Sequence, residues 1–493
     1  VSDTEVKALP ATPAARQMAE AELKKRILEN LAALGGQVSG EDTIVYEGTG
    51  FRFPASFEGD LAGVMRHLDE VRRSEEKKIV FKRMFPYRMM DGAVAFSRAM
   101  SELFGAQGIG MVTRTMFGDI PPEIQSVETG IGEHTEAPWG KVGFTALDAV
   151  FTVKYTSHPE LGYVSEITCE APRKHRRKIE GFFDVVEAHL RNNSIYRGKA
   201  ITAASTPGFF NAFSVRPESV VYTPAVMRQL SANVWTHIRY AQQLRDMNRS
   251  LKRTVLLKGP YGTGKSLAGV LTAQIALEHG WTFIIVRSED DPLQALQTAK
   301  MYAPAVVFIE DFELLTEGKS REEVDRILDL MDSVSTKGQE VIGLLTTNFL
   351  EKIDKAALRP GRIDHIISIE GLEGDGYTTL VKSIIPAAQL AADVNYQAVA
   401  EAFKGFYPAF ASEAAGKAIL YSLDRTGGRL DTITTEDLLA AAAGVREQLE
   451  VQQAAHEASH RQPGIDELLV ERMENVLRRT MYEGDYMVVQ PRR

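Results

Sequence analysis

Gly259-Pro260-Tyr261-Gly262-Thr263-Gly264-Lys265-Ser266 is the stretch that decides the fold. It matches the pattern G-x-x-x-x-G-K-[ST], and it stands where that pattern has physical meaning. A short apolar run, TVLLK (254–258), enters it, and a helical segment, SLAGVLTAQIALEH (266–279), leaves it. Glycines at this spacing let backbone N–H groups turn inward on an anion at a helix N-terminus, where the dipole favours negative charge. The pattern predicts a phosphate cradle over Gly259, Pro260, Tyr261, Gly262, Thr263, Gly264, Lys265, Ser266 and Leu267. In it Lys265 neutralises the β- and γ-phosphates of ATP, and the Ser266 hydroxyl ligates Mg²⁺.

Outward from the cradle, four more apolar runs alternate with helical segments: TFIIVR (282–287), AVVFIE (305–310), VIGLLTT (341–347) and HIISIE (365–370). Continuous apolar runs separated by helices indicate a parallel sheet covered on both faces. The run Val306 to Ile309 delivers Glu310-Asp311 to the C-terminal edge of that sheet, where ligands bind in open α/β folds. One carboxylate can hold Mg²⁺ through water, for which Glu310 is the candidate, and the other, Asp311, can orient the attacking water. The run at 341–347 ends in Asn348, in reach of the γ-phosphate or the lytic water. Ala357-Leu358-Arg359-Pro360-Gly361-Arg362-Ile363-Asp364 then puts two guanidiniums at a tight turn. Arginines that stabilise the charge developing in phosphoryl transfer are worth roughly 10³–10⁵ in rate and can come from a neighbouring subunit. The competing readings are an acidic strand end in solvent and an ordinary basic surface turn.

The rest of the chain frames this module. Residues 11–34 read as an amphipathic helix stopped by Gly35-Gly36. From 41 to about 205, strand-like runs (KKIVFKRMF, VGFTALDAVFTVKY, GYVSEITCEA) alternate with helical ones (DLAGVMRHLDEVRR, AVAFSRAMSELF, IEGFFDVVEAHL). Residues 1–205 thus make an α+β N-terminal domain, without a catalytic motif. A loop-like stretch follows, and Thr223-Pro224 opens a linker helix whose Val226, Leu230, Val234, Ile238 and Ala241 share one face. Residues 206–371 form the α/β nucleotide domain, and Ser320-Arg321-Glu322-Glu323 caps a helix within it. Residues 372–460 form a small all-α lid, and 461–493 a polar tail. The fold class is α/β, a P-loop NTPase sheet with helices on both faces, an all-α lid after it and an α+β domain before it.

These motifs, in this order and spacing, resemble the AAA family of ring ATPases over roughly 215–450. The resemblance implies assembly into rings, usually hexamers. It assigns Arg359 and Arg362 to the finger positions acting across the subunit interface and Asn348 to the polar sensor. Phe410-Ala411-Ser412-Glu413-Ala414-Ala415 falls where such proteins start a lid helix beside the adenine. The sequence departs from the family twice. The order Glu310-Asp311 inverts the usual Asp-Glu, so hydrolysis is expected to be slow or gated. Between the strands at 282–287 and 305–310 lie only Arg287 to Pro304, whose single aromatic, Tyr302, abuts the next strand without a glycine. Both features are similar to the AAA subgroup of the mitochondrial Rieske-protein translocase and its soluble bacterial and phage relatives, which implies remodelling of a folded client without threading.

Bulk properties limit the alternatives. Across 493 residues, 44% are hydrophobic and 25% charged, and the net charge of −9 argues against a nucleic-acid-linked motor. The basic cluster Arg173 to Lys178 reads as a solvated helix start. No apolar run is long enough to span a bilayer, no signal core opens the chain, and the single cysteine, Cys169, fits a reducing compartment; a cytoplasmic location follows as the expectation. His456-Glu457-Ala458-Ser459-His460 matches the zinc-protease pattern H-E-x-x-H, but Arg461-Gln462-Pro463-Gly464 breaks the helix at once, and a surface helix is the preferred reading. The function expected is an Mg·ATP-dependent, self-associating ring that remodels a protein client recruited by residues 1–205. A scaffold that binds ATP without cycling is the alternative of a different class.

Overall fold

The computed structural model describes residues 37–38, 43–46, 49–52, 70–105, 113–115, 118–316, 327, 340–353, 357–359, 361–429 and 431–460. The expected helix at 11–34, the first part of the helix at 60–73, most of the capped helix at 320–337, Pro360 and the tail at 461–493 lie outside the described residues. The chain divides into two compact units, residues 1–80 with 170–178, and residues 81–169 with 179–493. In the first, β1 (Gln37–Val38), β2 (Thr43–Tyr46) and β3 (Thr49–Arg52) pair as an antiparallel sheet.

A five-stranded sheet runs in the order β4 (Lys78–Phe85), β10 (Gly162–Pro172), β9 (Ala149–His158), β8 (Glu133–Phe144), β7 (Glu123–Gly130). A small antiparallel pair, β5 (Thr113–Thr115) and β6 (Gly118–Ile120), accompanies it. The helices Met89–Phe104 and Arg176–Asn192 each bury one stripe, Phe96 with Met100 and Ile179 with Phe182, Phe183 and Val186. Phe96 meets Phe182 edge to face at 5.4 Å. The run VGFTALDAVFTVKY, expected as one strand, is a hairpin instead. β8 ends at Phe144, Thr145–Leu147 makes a 3-10 turn, and Asp148 adopts φ 45° before β9 begins. Asp tolerates the left-handed region, so the chain reverses there without a glycine.

The second sheet has six strands in the order β11 (Ala200–Thr202), β13 (Thr282–Val286), β14 (Ala305–Ile309), β15 (Val341–Thr347), β12 (Arg253–Lys258), β16 (His365–Ser368). All five pairings are parallel. Every residue of β13 and β14 is buried, as continuous apolar runs between two helical layers require. From β12 the chain crosses to β13, returns through β14 and β15, and ends with β16 on the far side of β12. Strand order therefore reverses at β12, which opens a crevice at the C-terminal end of that strand. β11 stands before residue 205 and still joins this sheet, pairing Ile201 with Ile284.

The linker helix begins as its sequence dictates. Thr223 caps it by accepting from the Val226 N–H at 3.3 Å, and Pro224 occupies the first turn. Val226, Leu230, Val234, Ile238 and Ala241 are all buried, in one core with Val255, Leu257 and Ile367. A π-helical turn at Ser231–Trp235 interrupts the helix without breaking this stripe. Beyond β16, the helices Asp375–Ile384, Tyr396–Ala402, Pro408–Arg425 and Thr435–His460 enclose a separate core around Leu380, Phe403, Phe406 and Ala414. No helix among the described residues is long and apolar enough to cross a membrane.

One buried guanidinium ties the five-stranded sheet to the six-stranded one. Arg88, 1% exposed, donates from Nη1 to the Tyr163 carbonyl (3.2 Å) and from Nη2 to the Gln294 carbonyl (3.1 Å) and Thr298 Oγ1 (2.5 Å). Its backbone N–H donates to Tyr302 Oη at 2.9 Å. Gln294 and Thr298 lie on the helix Pro292–Met301, which leads into β14. Burial pulls the Arg88 pKa below its ordinary value, so the charge is held by neutral acceptors of the neighbouring elements.

Candidate functional site

The sheet brings three strand ends together. Lys258 pairs with Thr347, so the residues that follow them, Gly259 and Asn348, stand side by side. Ile309 pairs with Leu345, and the Asp311 N–H donates to Thr346 Oγ1 at 2.9 Å. Asp311 itself sits at φ 45°, a left-handed conformation that turns the chain sharply out of β14. The cradle loop needs its glycines for two separate reasons. Gly264, at the N-cap of the helix Lys265–Glu278, has φ 97°, which L side chains rarely adopt. At Gly259 a Cβ would lie 2.1 Å from the Ile369 carbonyl oxygen, so only hydrogen fits.

Lys265 is the centre of the polar cluster. The residue is 7% exposed, and its amino group donates to the Gly259 carbonyl (2.7 Å), the Pro260 carbonyl (2.8 Å) and Asn348 Oδ1 (2.7 Å). Burial lowers its pKa to about 8, against the opposing fields of Asp311 and Glu313. The Asn348 Nδ2 amide donates to Asp311 Oδ1 at 2.7 Å. Its orientation follows from these neighbours, because an ammonium can only donate and a carboxylate can only accept. From below, the Glu313 carboxylate accepts the backbone N–H of Asn348 at 2.9 Å and is 3% exposed. Tyr222 Oη donates to the Gly264 carbonyl at 2.7 Å, and burial raises the Tyr222 pKa.

A cleft of about 310 Å³ opens over these groups, lined among others by Tyr222, Ser266, Asp311, Asn348, Ala409 and Ser412. That volume is at the lower end of ligand clefts, roughly 300–1,000 Å³. The start of the helix Pro408–Arg425 abuts the cradle, with the Ala409 N–H donating to the Gly262 carbonyl at 3.0 Å. A polyphosphate fits this donor set: a glycine cradle that a Cβ would obstruct, a helix N-terminus, and a buried ammonium that donates to two carbonyls of the loop and to Asn348 Oδ1. The hard oxygen donors Ser266 and Asp311 suit Mg²⁺, which takes one or two protein ligands and completes its shell with phosphate and water.

The nine cradle residues, Asp311 and Asn348 come together at one edge of the sheet. Glu310 is not among the residues lining the cleft; its N–H donates to the Val286 carbonyl at 3.1 Å and prolongs the ladder of β14. Arg359 and Arg362 are at the other edge. Their turn precedes β16 and is pinned to the start of β12, where Lys252 Nζ donates to the Gly361 carbonyl (3.0 Å) and the Thr254 N–H donates to Asp364 Oδ2 (2.8 Å). β12 is six residues long, so about 20 Å of strand separates that turn from the cradle of the same chain. The cluster also contains residues that the sequence analysis did not name, Glu313 and Tyr222. The zinc-protease pattern falls on the helix Thr435–His460, and its side chains lie outside the described residues. Among the described residues no three His, Cys, Asp or Glu side chains gather as a metal-binding group.

Comparison with known proteins agrees with this geometry. Residues 255–371 match the family described as ATPase family associated with various cellular activities (AAA). The chain is similar to the proteasome-activating nucleotidase of Methanocaldococcus jannaschii, 28% identical over 238 residues, which covers 44% of this chain and 53% of that protein. It is also similar to the cell division cycle protein 48 homolog of Archaeoglobus fulgidus, 31% identical over 204 residues, covering 38% of this chain and 27% of that protein. A third relative is the ATP-dependent zinc metalloprotease FtsH of Helicobacter pylori, 29% identical over 189 residues, covering 34% of this chain and 30% of that protein. The matched part of the chain therefore spans between 27% and 53% of the length of these relatives.

Proposed function

We propose, from the match of residues 255–371 to the AAA family, that the chain hydrolyses Mg·ATP in a ring of identical copies and uses the turnover to remodel a protein client. The observation that carries the proposal is the separation within one chain. Lys265, Asn348 and Asp311 are hydrogen-bonded to one another at the C-terminal edge of the sheet, while Arg359 and Arg362 stand about 20 Å away at the opposite edge. The two halves of a phosphoryl-transfer site meet only if a second copy brings its arginines to the cleft. In that arrangement Lys265 and the cradle amides hold the phosphates, Asp311 accepts a proton from the attacking water, and Asn348 orients it. Ser266, with Glu310 or Asp311, would hold Mg²⁺, which when bound neutralises charge on the β- and γ-oxygens. The neighbour's Arg362 and Arg359 stabilise the transferred charge.

The finer part of the proposal is a non-threading mechanism like that of the Rieske-protein-translocase subgroup. It is supported by Tyr302, the only aromatic between β13 and β14. That side chain is fully buried and accepts a hydrogen bond from Arg88, so it is not available to line a pore. The N-terminal five-stranded sheet is the proposed client-recruiting region, and a cytoplasmic setting and a hexameric ring belong to the same reading. A specific feature favours a second reading as an ATP-gated switch. Asp311 is a methylene shorter than the usual glutamate and is already engaged by Asn348. The test is ATP turnover per chain against protein concentration. A cooperative rise supports a shared site. Tight ATP binding with negligible turnover at every concentration supports the switch and overturns the motor.

A further inference from the structure

Asn348 touches both Lys265 and Asp311, so any group that fixes its backbone also fixes the geometry between the phosphate-binding lysine and the proposed base. Only a short 3-10 turn, Leu350–Lys352, follows it, so β15 does not continue to hold the residue in place. Glu313 does. It lies in the first turn of the helix Phe312–Thr316, 3% exposed, and its Oε1 accepts the Asn348 N–H at 2.9 Å. The same carboxylate acts electrostatically on the Lys265 ammonium. Thr347 Oγ1 accepts from the Phe349 N–H at 3.0 Å on the other side, so the peptide carrying Asn348 is clamped between two side chains.

We propose that Glu313 is a positioning residue for hydrolysis: its carboxylate oxygen anchors the Asn348 backbone, and through the Asn348 amide it sets where Asp311 can receive the proton of the attacking water. The proposal rests on the hydrolysis reading above. Burying a carboxylate is costly unless it is paired, and Glu313 Oε1 is paired with the backbone amide that carries the bridging side chain. Displacing Asn348 by about 1 Å is worth about 100-fold in rate, with little effect on a phosphate grip made by Lys265 and the cradle.

The test compares Glu313→Gln, Glu313→Ala, Asn348→Ala and the double variant Glu313→Ala/Asn348→Ala in the full chain. ATP affinity and single-site turnover are measured separately, with thermal melting as a check on folding. Gln keeps an oxygen acceptor for the Asn348 N–H. The Gln variant should therefore retain turnover within about threefold, while Ala loses about 100-fold in kcat with ATP affinity nearly unchanged. Adding Glu313→Ala to Asn348→Ala should have no further effect on kcat, because Glu313 acts through that side chain. Amide exchange at Asn348 should accelerate in the Ala variant and not in the Gln variant. If Ala does not fold, the Gln variant and the exchange of its Asn348 amide still decide. A Gln variant as slow as an inactive enzyme means the charge matters and overturns the anchoring role. Full turnover by Glu313→Ala overturns it as well. No turnover by the unaltered chain overturns the hydrolysis reading instead, and unimpaired turnover by Asn348→Ala removes the intermediary.

Discussion

At the residue scale, the cleft depends on a lysine whose charge is less secure than usual. Burial holds the Lys265 pKa at about 8, down from an ordinary 10.5, so the ammonium is present at pH 7 and is lost as pH rises through about 8. ATP affinity of the nucleotide-free protein should accordingly weaken between pH 7 and pH 9. A surface lysine in the same role would give a flat profile over that range. Lys265→Ala should abolish ATP binding, and affinity retained by that variant would contradict the cradle assignment. Asp311→Asn should bind ATP and not turn it over; if Glu310→Gln gives that behaviour instead, the two carboxylates have exchanged roles. The cradle and Asn348 were legible because glycine spacing and a polar residue ending an apolar run are written into adjacent positions. Glu313 was not, since an acid four residues past a strand looks like any solvated helix start until Asn348, thirty-five residues on, folds over it. Tyr222 was hidden for the same reason, as its partner Gly264 is remote in sequence.

At the element scale, strands buried on both faces announced themselves and the others did not. β13 and β14 are unbroken, fully buried apolar runs and β12 and β15 have buried apolar centres, whereas β11 is three residues long and can be placed only by its pairing with β13. The β8–β9 hairpin looks like one strand in the sequence because its turn, Thr145 to Asp148, carries no Gly or Pro. The junction made by Arg88 was likewise invisible, since every acceptor it uses is a neutral group on a distant element. It also supplies a prediction. Thr298→Val keeps the shape of the helix Pro292–Met301 and removes the acceptor of two Arg88 donors. Leaving a buried charged donor unsatisfied should lower stability by about 1–3 kcal/mol in denaturant unfolding, with ATP affinity unchanged. A loss below about 0.5 kcal/mol, the size of an ordinary surface substitution, would mean that Arg88 finds water or another acceptor and does not join the two sheets rigidly.

At the scale of the whole molecule, the sequence carries the nucleotide site far more legibly than the region proposed to recruit a client. Phosphate chemistry demands particular residues at particular spacings, whereas a protein-binding sheet demands only a surface of suitable shape. The central claim is that the catalytic site is completed by a second copy, because Arg362 is held at the edge of the sheet opposite to its own Lys265. Two inactive variants test it most directly. Lys265→Ala cannot hold ATP but presents an intact Arg362, and Arg362→Ala holds ATP but presents no arginine to its neighbour. Each alone should be inactive. Mixed and allowed to reassemble, they should regain turnover at interfaces where an intact cradle meets an intact arginine. Mixtures that stay as inactive as their components, despite assembling together, would contradict a site shared between copies.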